Sequence, residues 1–511
     1  MLWIAAFASN MGTWIHDVGA AWLMTSLDPS PAMVALVRTA TAFSMFLFAL
    51  PAGALADVLD RRRLLLFSQA LMLLAAAALA LLTFAGVTTP SLLLAFTFLL
   101  GVGTALNAPA WYAIIAELVP RGEIPSATAL NSAGINLARS VGPALGGLLI
   151  AALGPGATFA LNAVSFCGVI FVLYRWRRQP VTSMLPAERV LGAMRAGLRY
   201  VRHAPEVLAV LTRSGVFTFF ASVLLALLPA FARFELGRGP TGYGVLLGFF
   251  GAGAVLAAVL LPRARARLTT ERIVAAAILI FAAALLLLAW TRSVALVDLA
   301  IFVAGGSWLT LLSTFNASIQ AAVPGWVRGR ALAVSILVFF GAMAVGSTVW
   351  GYVAAGFGLA AAFAAAGAGL LVGLYATRRL RIAQGEGVDL SPSVHWPAPN
   401  LMKDFVSHRG PVVVSVEYSI DPERRRHFRR VMQRVRRIRR RDGALNWALL
   451  ANVEQPGRYT ETFVVESWVE HLRQHERVTV ADRAVLDKAR SFHVGTEPPR
   501  VAHFMVEPLS Q

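Results

Sequence analysis

The apolar residues of this chain fall in runs about 20 long, separated by short polar turns. A run of that length crosses a hydrocarbon core of ~30 Å as a helix. The pattern predicts spans at 2–27, 32–56, 64–86, 91–116, 128–153, 157–175, 207–232, 242–261, 272–291, 295–322, 331–354 and 359–377. A buried core helix explains one or two such runs, not twelve. The runs also repeat. Gly101, Val119-Pro120, Ala127, Gly142 and Gly147 recur 204 positions later as Gly305, Val323-Pro324, Ala331, Gly346 and Gly351. The expected fold class is therefore an all-α polytopic membrane protein of twelve transmembrane helices in two six-helix repeats. Duplicated bundles around a shared cavity are a common build for secondary transporters.

The same pattern divides the chain. Residues 1–174 hold the first six-helix bundle and 207–377 the second. Between them, 175–206 is a basic connector. There Val190, Met194, Leu198 and Val201 share one helical face, while Arg189, Arg195, Arg199 and Arg202 stay polar. That describes an amphipathic helix, either lying at the membrane interface or packed as a soluble helix under the bundle. Residues 378–410, rich in Gly, Pro, Ser and charge, read as a linker.

Beyond the linker, 411–511 has no run long enough to span a membrane. Val412, Val414 and Val416 alternate with other residues up to Tyr418, as in a strand. Asp421-Pro422 is a helix start, and a very basic helix follows to about Arg441. Strands at 445–453 and 459–467 flank the turn Gln455-Pro456-Gly457. Residues 468–490 read as helix and 500–506 as a last strand. The order βαββαβ is the α+β ferredoxin-like layout.

Charge changes the picture in one respect. A net charge of +19 suggests a nucleic-acid partner until its distribution is seen. Arginines gather in alternate loops, at Arg61 to Arg63, Arg121, Arg175 to Arg202, Arg263 to Arg272, Arg328 and Arg330, and Arg378 to Arg381. The intervening loops hold chiefly Arg233, Arg238 and Arg292. This bias places the first set in the cytoplasm, together with both termini, as twelve spans require. No nucleic-acid partner is expected. The first run lacks the basic leader and the shortness of a cleavable signal. It begins at Met1 with almost no leader, which points to a start upstream of it. Cys167, the single cysteine, excludes intrachain disulfides and is expected as a small buried hydrophobe.

Motifs narrow the class. Gly53-Ala54-Leu55-Ala56-Asp57-Val58-Leu59-Asp60-Arg61-Arg62-Arg63 closes the second span and resembles the signature loop of the major facilitator superfamily. Val58 and Asp60 replace the usual Arg and Gly. The resemblance implies a cytoplasmic gate of Gly53, Asp57, Arg61 and Arg62 that latches the two halves. Ala138-Arg139-Ser140-Val141-Gly142-Pro143-Ala144-Leu145-Gly146-Gly147 resembles the family's antiporter motif, with Ala138 for its first Gly. Arg139, Gly142, Pro143, Gly146 and Gly147 are its candidate residues. Gly142 and Gly146 share a face that permits close helix approach, and Pro143 removes a backbone bond. Asn107-Ala108-Pro109-Ala110-Trp111 and Leu130-Asn131-Ser132 look like the branch containing the enterobactin exporter and macrolide-efflux proteins. Glu466-Ser467-Trp468-Val469-Glu470-His471-Leu472 is similar to a domain of its transmembrane secretion effector subgroup. That C-terminal domain also resembles the dimeric α/β barrel of small monooxygenases, which implies a dimer through 411–511.

Ionisable groups inside spans are costly and so mark function. Asp17 lies about 15 Å deep from the outer end of the first span. Arg139 sits at similar depth, Arg38 nearer the outer face, and His16 beside Asp17. Asp17 either pairs with Arg139 or Arg38 or carries a proton, and Asp17 and Arg38 are the proton-coupling candidates. Trp14, Trp22, Trp111, Trp308, Phe43 and Phe315 are expected to line a cavity. His471 and His475 have a metal-compatible spacing with nothing to complete a site, so no metal or cofactor is expected. The basic helix from Arg424 to Arg441 suits anionic lipid headgroups. The expected function is export of a small hydrophobic or amphipathic compound (a drug, siderophore or secondary metabolite) across the bacterial inner membrane, by alternating access and proton antiport. The partners are that substrate, protons and membrane lipids. The alternatives are lipid or siderophore movement, or a membrane-anchored sensor or enzyme acting through the C-terminal domain; an enzyme is not the expected class.

Overall fold

The computed structural model describes residues 2–176, 190–382, 389–391, 393 and 411–506. The chain divides into two units: 1–187, 211–315 and 335–381 in the first, and 188–210, 316–334 and 382–511 in the second.

The first unit carries the apolar helices, save that residues 205–210, 316–322 and 325–334 at the ends of three of them fall in the second. The leading six are α1 (Leu2–Leu27), α2 (Pro31–Val58), α3 (Arg61–Phe84), α4 (Pro90–Leu118), α5 (Ile124–Leu153) and α6 (Pro155–Arg175). After α7 (Val190–His203) come α8 (Pro205–Ala230), α9 (Pro240–Arg267), α10 (Thr270–Trp290), α11 (Val294–Ala322), α12 (Gly325–Phe357) and α13 (Leu359–Ala376). Proline opens α2, α4, α5, α6 and α9, where its missing N–H has no intrahelical partner to lose. Asp60, one of the two residues that depart from the signature loop, caps α3 by accepting from the Arg63 backbone N–H at 2.9 Å.

Among the described residues, eleven helices are long and apolar enough to cross a membrane. α1 is as long but falls short of that apolarity, because Ser9, Asn10, Thr13, His16 and Asp17 interrupt it. Many large apolar side chains, such as Leu74, Leu81, Val164 and Phe357, are exposed on this unit. In lipid, apolar residues need no burial in protein. Cys167 on α6 is exposed for the same reason and is not the buried hydrophobe expected.

The repeat is structural. Gly101 on α4 approaches Ser44 of α2, and its counterpart Gly305 on α11 approaches Phe250 of α9. Gly142 on α5 meets Trp14 of α1, and Gly346 on α12 meets Phe219 and Ser222 of α8. Each glycine lets one helix approach its neighbour at the equivalent place in its own half.

The second unit centres on a four-stranded antiparallel sheet. Its strands are β1 (Val412–Ser419), β2 (Asn446–Ala451), β3 (Arg458–Val465) and β4 (Arg500–Met505), in the order β2-β3-β1-β4. With α14 (Arg425–Asp442), α15 (Trp468–Arg477) and α16 (Val480–Arg490) this gives the βαββαβ order. Asp421 caps a 3-10 turn ahead of α14. The stretch expected as one helix at 468–490 is two, because Thr479 and Asp482 form a capping box that starts α16 afresh. Phe428, Met432 and Val435 of α14 pack with Val416 and Tyr418 of β1 as the core.

The connector helix α7 packs on α14 of this sheet domain. Tyr200 and Val201 are buried while Leu198 is exposed, so the apolar face drawn from sequence is only partly the packed one. Residues 177–189, including Arg189, lie outside the described residues.

Candidate functional site

A cavity of about 400 Å³ lies in the first unit, lined by helices of both halves. α1 supplies Trp14 and Asp17, α2 Arg38, and α5 Arg139 and Pro143. From the second half come Tyr243 and Phe250 of α9, Trp308 of α11, and Phe339 and Phe340 of α12.

Asp17, Arg38 and Arg139, three isolated ionisable positions in the sequence, therefore face one space. No hydrogen bond or ion pair joins any of them to a partner among the described residues. The Arg139 guanidinium lies 5.6 Å from the Trp14 ring centroid, a cation–π contact. The expected pairing of Asp17 with an arginine is thus a shared cavity and not a direct bridge. His16, next in sequence, turns away from the cavity: it is buried against Phe159 at 4.6 Å between ring centroids.

One end of the cavity is shut where the halves meet. Thr39 and Thr348 hydroxyls lie 3.0 Å apart between α2 and α12. Gly351 approaches Ala32 and Ala35, and Gly147 approaches Pro240 and Gly244. Trp22 stacks on Tyr243 at 6.1 Å, and Arg233 donates to Thr25 at 3.0 Å and to Ser26. These contacts lie toward the α1–α2 turn. Farther along, Phe46 meets Gly341 and Ser140 meets Gly251 near the helix midpoints. The other two arginines that break the loop charge bias are paired at this same end: Arg238 with Asp298 at 3.0 Å and Arg292 with Glu235 at 2.9 Å.

The remaining predicted residues divide. Gly146 and Gly147 touch Val18 and Ile15 of α1 and the α9 backbone respectively. α5 runs unbroken through Pro143. Arg62 donates to the Leu173 and Tyr174 carbonyls at 2.9 and 2.6 Å, which fastens α3 to the end of α6 within one half. A side chain at Gly53 would meet nothing within 4 Å. Arg61 opens α3, and the Asp57 side chain lies outside the described residues. Asn107 accepts from Gln69 at 3.1 Å and Asn131 accepts from Trp111 at 3.2 Å, so these motif residues tie α3, α4 and α5 together.

Of the aromatic residues expected to line the cavity, Trp14 and Trp308 do. Trp22 lies at the shut end, Trp111 is held by Asn131, Phe43 packs near Phe98, and Phe315 is buried in packing. Tyr243, Phe250, Phe339 and Phe340 were missed. Their signal is only that they fall on helices pseudo-equivalent to the predicted ones. Arg213, buried on α8, was missed too; it pairs with Glu271 at 2.6 Å.

In the C-terminal domain, Trp468, His471, His475 and His503 cluster, with the His471 ring 4.9 Å from His503 and 4.4 Å from His475. Burial first, then these neighbours, push the His471 imidazole down to about 3, so it is neutral. No group of three or more metal-binding side chains is placed to hold an ion among the described residues. The exposed arginines of α14, among them Arg425, Arg429 and Arg436, face outward.

Two helical halves joined by a repeat, with a central cavity between them, define a membrane transporter of small compounds. The chain belongs to the transmembrane secretion effector family, which it matches over residues 1–510. It is 26% identical over 380 residues to the multidrug efflux pump Tap of Mycolicibacterium fortuitum, covering 71% of this chain and 91% of the pump. It is 28% identical over 163 residues to the staphyloferrin A transporter of Staphylococcus aureus; there the match covers 32% of this chain and spans 41% of that relative's length. Among solved structures, a bacterial homologue of the human lysosomal transporter Spinster, inward-facing and unoccupied, superposes with a TM-score of 0.56. That match has 16% identity, over 74% of this chain and 93% of that one, and bears on the fold. The class is a transporter and not an enzyme.

Proposed function

We propose that the protein exports a small amphipathic compound across the bacterial inner membrane by alternating access. The observation that carries this is the mid-bundle cavity, lined by both halves and shut at one end. The arginine-rich loops sit at the opposite end from the α1–α2 turn, and their charge supports a cytoplasmic position for that end, from which the cavity would be reached. A drug pump and a siderophore transporter among the relatives support the export of small compounds. Asp17 is the one carboxylate lining the cavity among the described residues and our candidate for proton coupling. The signature loop, with Asp57, is our candidate for the gate that closes on the cytoplasmic side.

The test is uptake of a panel of lipophilic dyes into everted vesicles holding the full chain, with an imposed pH gradient. Uphill uptake of at least one dye, lost on collapsing the gradient, is expected. Uptake no greater than in vesicles bearing a Gly147→Leu chain sinks the proposal.

A further inference from the structure

The polar lining of the cavity is unbalanced. Among the described residues two guanidinium groups, of Arg38 and Arg139, face it against the single carboxylate of Asp17. The Nε of each arginine is buried and has no hydrogen-bond partner. A guanidinium is a planar fork of donors that matches a carboxylate, and it cannot shed its charge. Buried donors left unmade are costly, more so when charged. The rest of the lining is mostly apolar, led by Trp14, Phe250, Trp308 and Phe340, with Thr41, Thr97, Thr104 and Tyr243 as its uncharged polar side chains.

We propose, resting on the export reading above, that the substrate is a small amphiphilic organic anion. Its carboxylate, or an equally compact oxyanion, sits between Arg38 and Arg139, and its apolar body lies against the aromatic wall supplied by α9, α11 and α12. Asp17 is the internal counter-ion that offsets one of the two charges while the site is empty. A cation there meets two like charges against one opposite. A neutral compound without an acceptor leaves both guanidinium groups unpaired. The volume, about 400 Å³, falls at the small end of the ~300–1,000 Å³ typical of ligand pockets, which suits a body of a few rings.

The experiment compares three probes of one shape and different charge: naphthoate, naphthamide and naphthylmethylammonium. Binding to the full chain in lipid nanodiscs is followed by quenching of tryptophan fluorescence. Naphthoate is expected to bind about tenfold or more tightly than naphthamide, with the ammonium weakest. Arg38→Gln and Arg139→Gln should each erase the preference. Arg38→Lys and Arg139→Lys, which keep the charge if the Gln variants do not fold, should retain part of it. Equal affinity for the three probes, no binding of naphthoate, or a preference untouched in every folded arginine variant overturns the inference. Vesicle transport of the same probes separates it from the export reading. Naphthamide moved in preference to naphthoate leaves export standing and removes the anion. Naphthoate bound selectively but never moved leaves the anion site standing and removes export.

Discussion

Gly147 of α5 and Gly244 of α9 meet backbone to backbone. A Cβ on Gly147 would stand 3.0 Å from the Gly244 Cα and 2.7 Å from the Pro240 carbonyl oxygen; one on Gly244 would stand 2.8 Å from the Pro143 oxygen. The pseudo-equivalent seam, α12 against α2, has Gly351 with 2.6 Å to the Ala35 Cβ. The two halves therefore close on each other at two symmetric places where only glycine fits.

Gly147→Val and Gly351→Val should each hold the seam apart, at a cost of about 1–3 kcal/mol for overpacking. Labelling of a cysteine placed at Thr39 should then rise from the α1–α2 side. Unchanged labelling would mean the seam is not closed by these residues. Gly168→Val on α6, with nothing within 4 Å of its Cβ position, is the control expected to leave closure intact.

Gly142→Leu should impair transport more than Gly86→Leu. A Cβ at Gly142 already meets the Trp14 Cβ at 2.7 Å, on the helix that carries Asp17. Gly86 has open space but a φ of 71°, so leucine there costs roughly 1–2 kcal/mol of backbone strain and spares the cavity. Equal transport rates in purified, folded variants would count against tight packing of α1 on α5.

Asp17→Asn should abolish gradient-driven uphill transport while leaving downhill exchange, if Asp17 is the proton carrier. If it serves only as counter-ion, the loss should be one of stability, and Arg38→Gln or Arg139→Gln should restore it. Uphill movement in everted vesicles and melting of the same preparations distinguish the two. Uphill transport persisting in Asp17→Asn removes the carrier role.

Glu461→Leu should unfold the C-terminal domain. Its carboxylate is fully buried and accepts from Trp447 at 2.9 Å, Arg439 at 3.1 Å and Tyr418 at 3.3 Å. Its loss leaves the buried Arg439 uncompensated, which costs roughly 3–5 kcal/mol. Limited proteolysis of the full chain should then cut within 411–506. Resistance equal to that of the native chain would show the network is dispensable.

The same domain should lose stability in acid through His471. Its imidazole titrates near 6.5 when unfolded and is held to about 3 in the fold. Between those values the unfolded chain binds a proton that the native chain refuses, so stability is complete above the higher value and falls as pH drops toward the lower. His471→Gln should flatten that slope in hydrogen exchange of the domain. A slope unchanged in the variant assigns the pH dependence to other groups.

The helices and strands were legible because their signals are local. Apolar runs set α2 to α6 and α8 to α13, and alternation set β1. The break between α15 and α16 was not, since Thr479 and Asp482 act through a cap that the apolar pattern hides. Asp17, Arg38 and Arg139 stood out as charges in apolar runs, but that they share one cavity depends on helix rotation, which spacing within each helix does not fix. The aromatic wall was half read for the same reason. α7 was seen as amphipathic, yet its partner, α14, lies more than two hundred residues away in sequence and left no mark near it. Arg62 shows a motif residue whose visible contacts serve its own half.

The paired glycine seams have a mechanical consequence. Where Gly147 and Gly244 touch through bare backbone few side chains interlock, so parting this end has to break only the side-chain contacts around that point, chiefly the Thr39–Thr348 hydrogen bond and the Trp22–Tyr243 stack. Such a joint behaves as a low-friction bearing. Under the alternating access proposed above, such a joint would leave whatever occupies the cavity, and the charge it brings, to bias which way the protein faces.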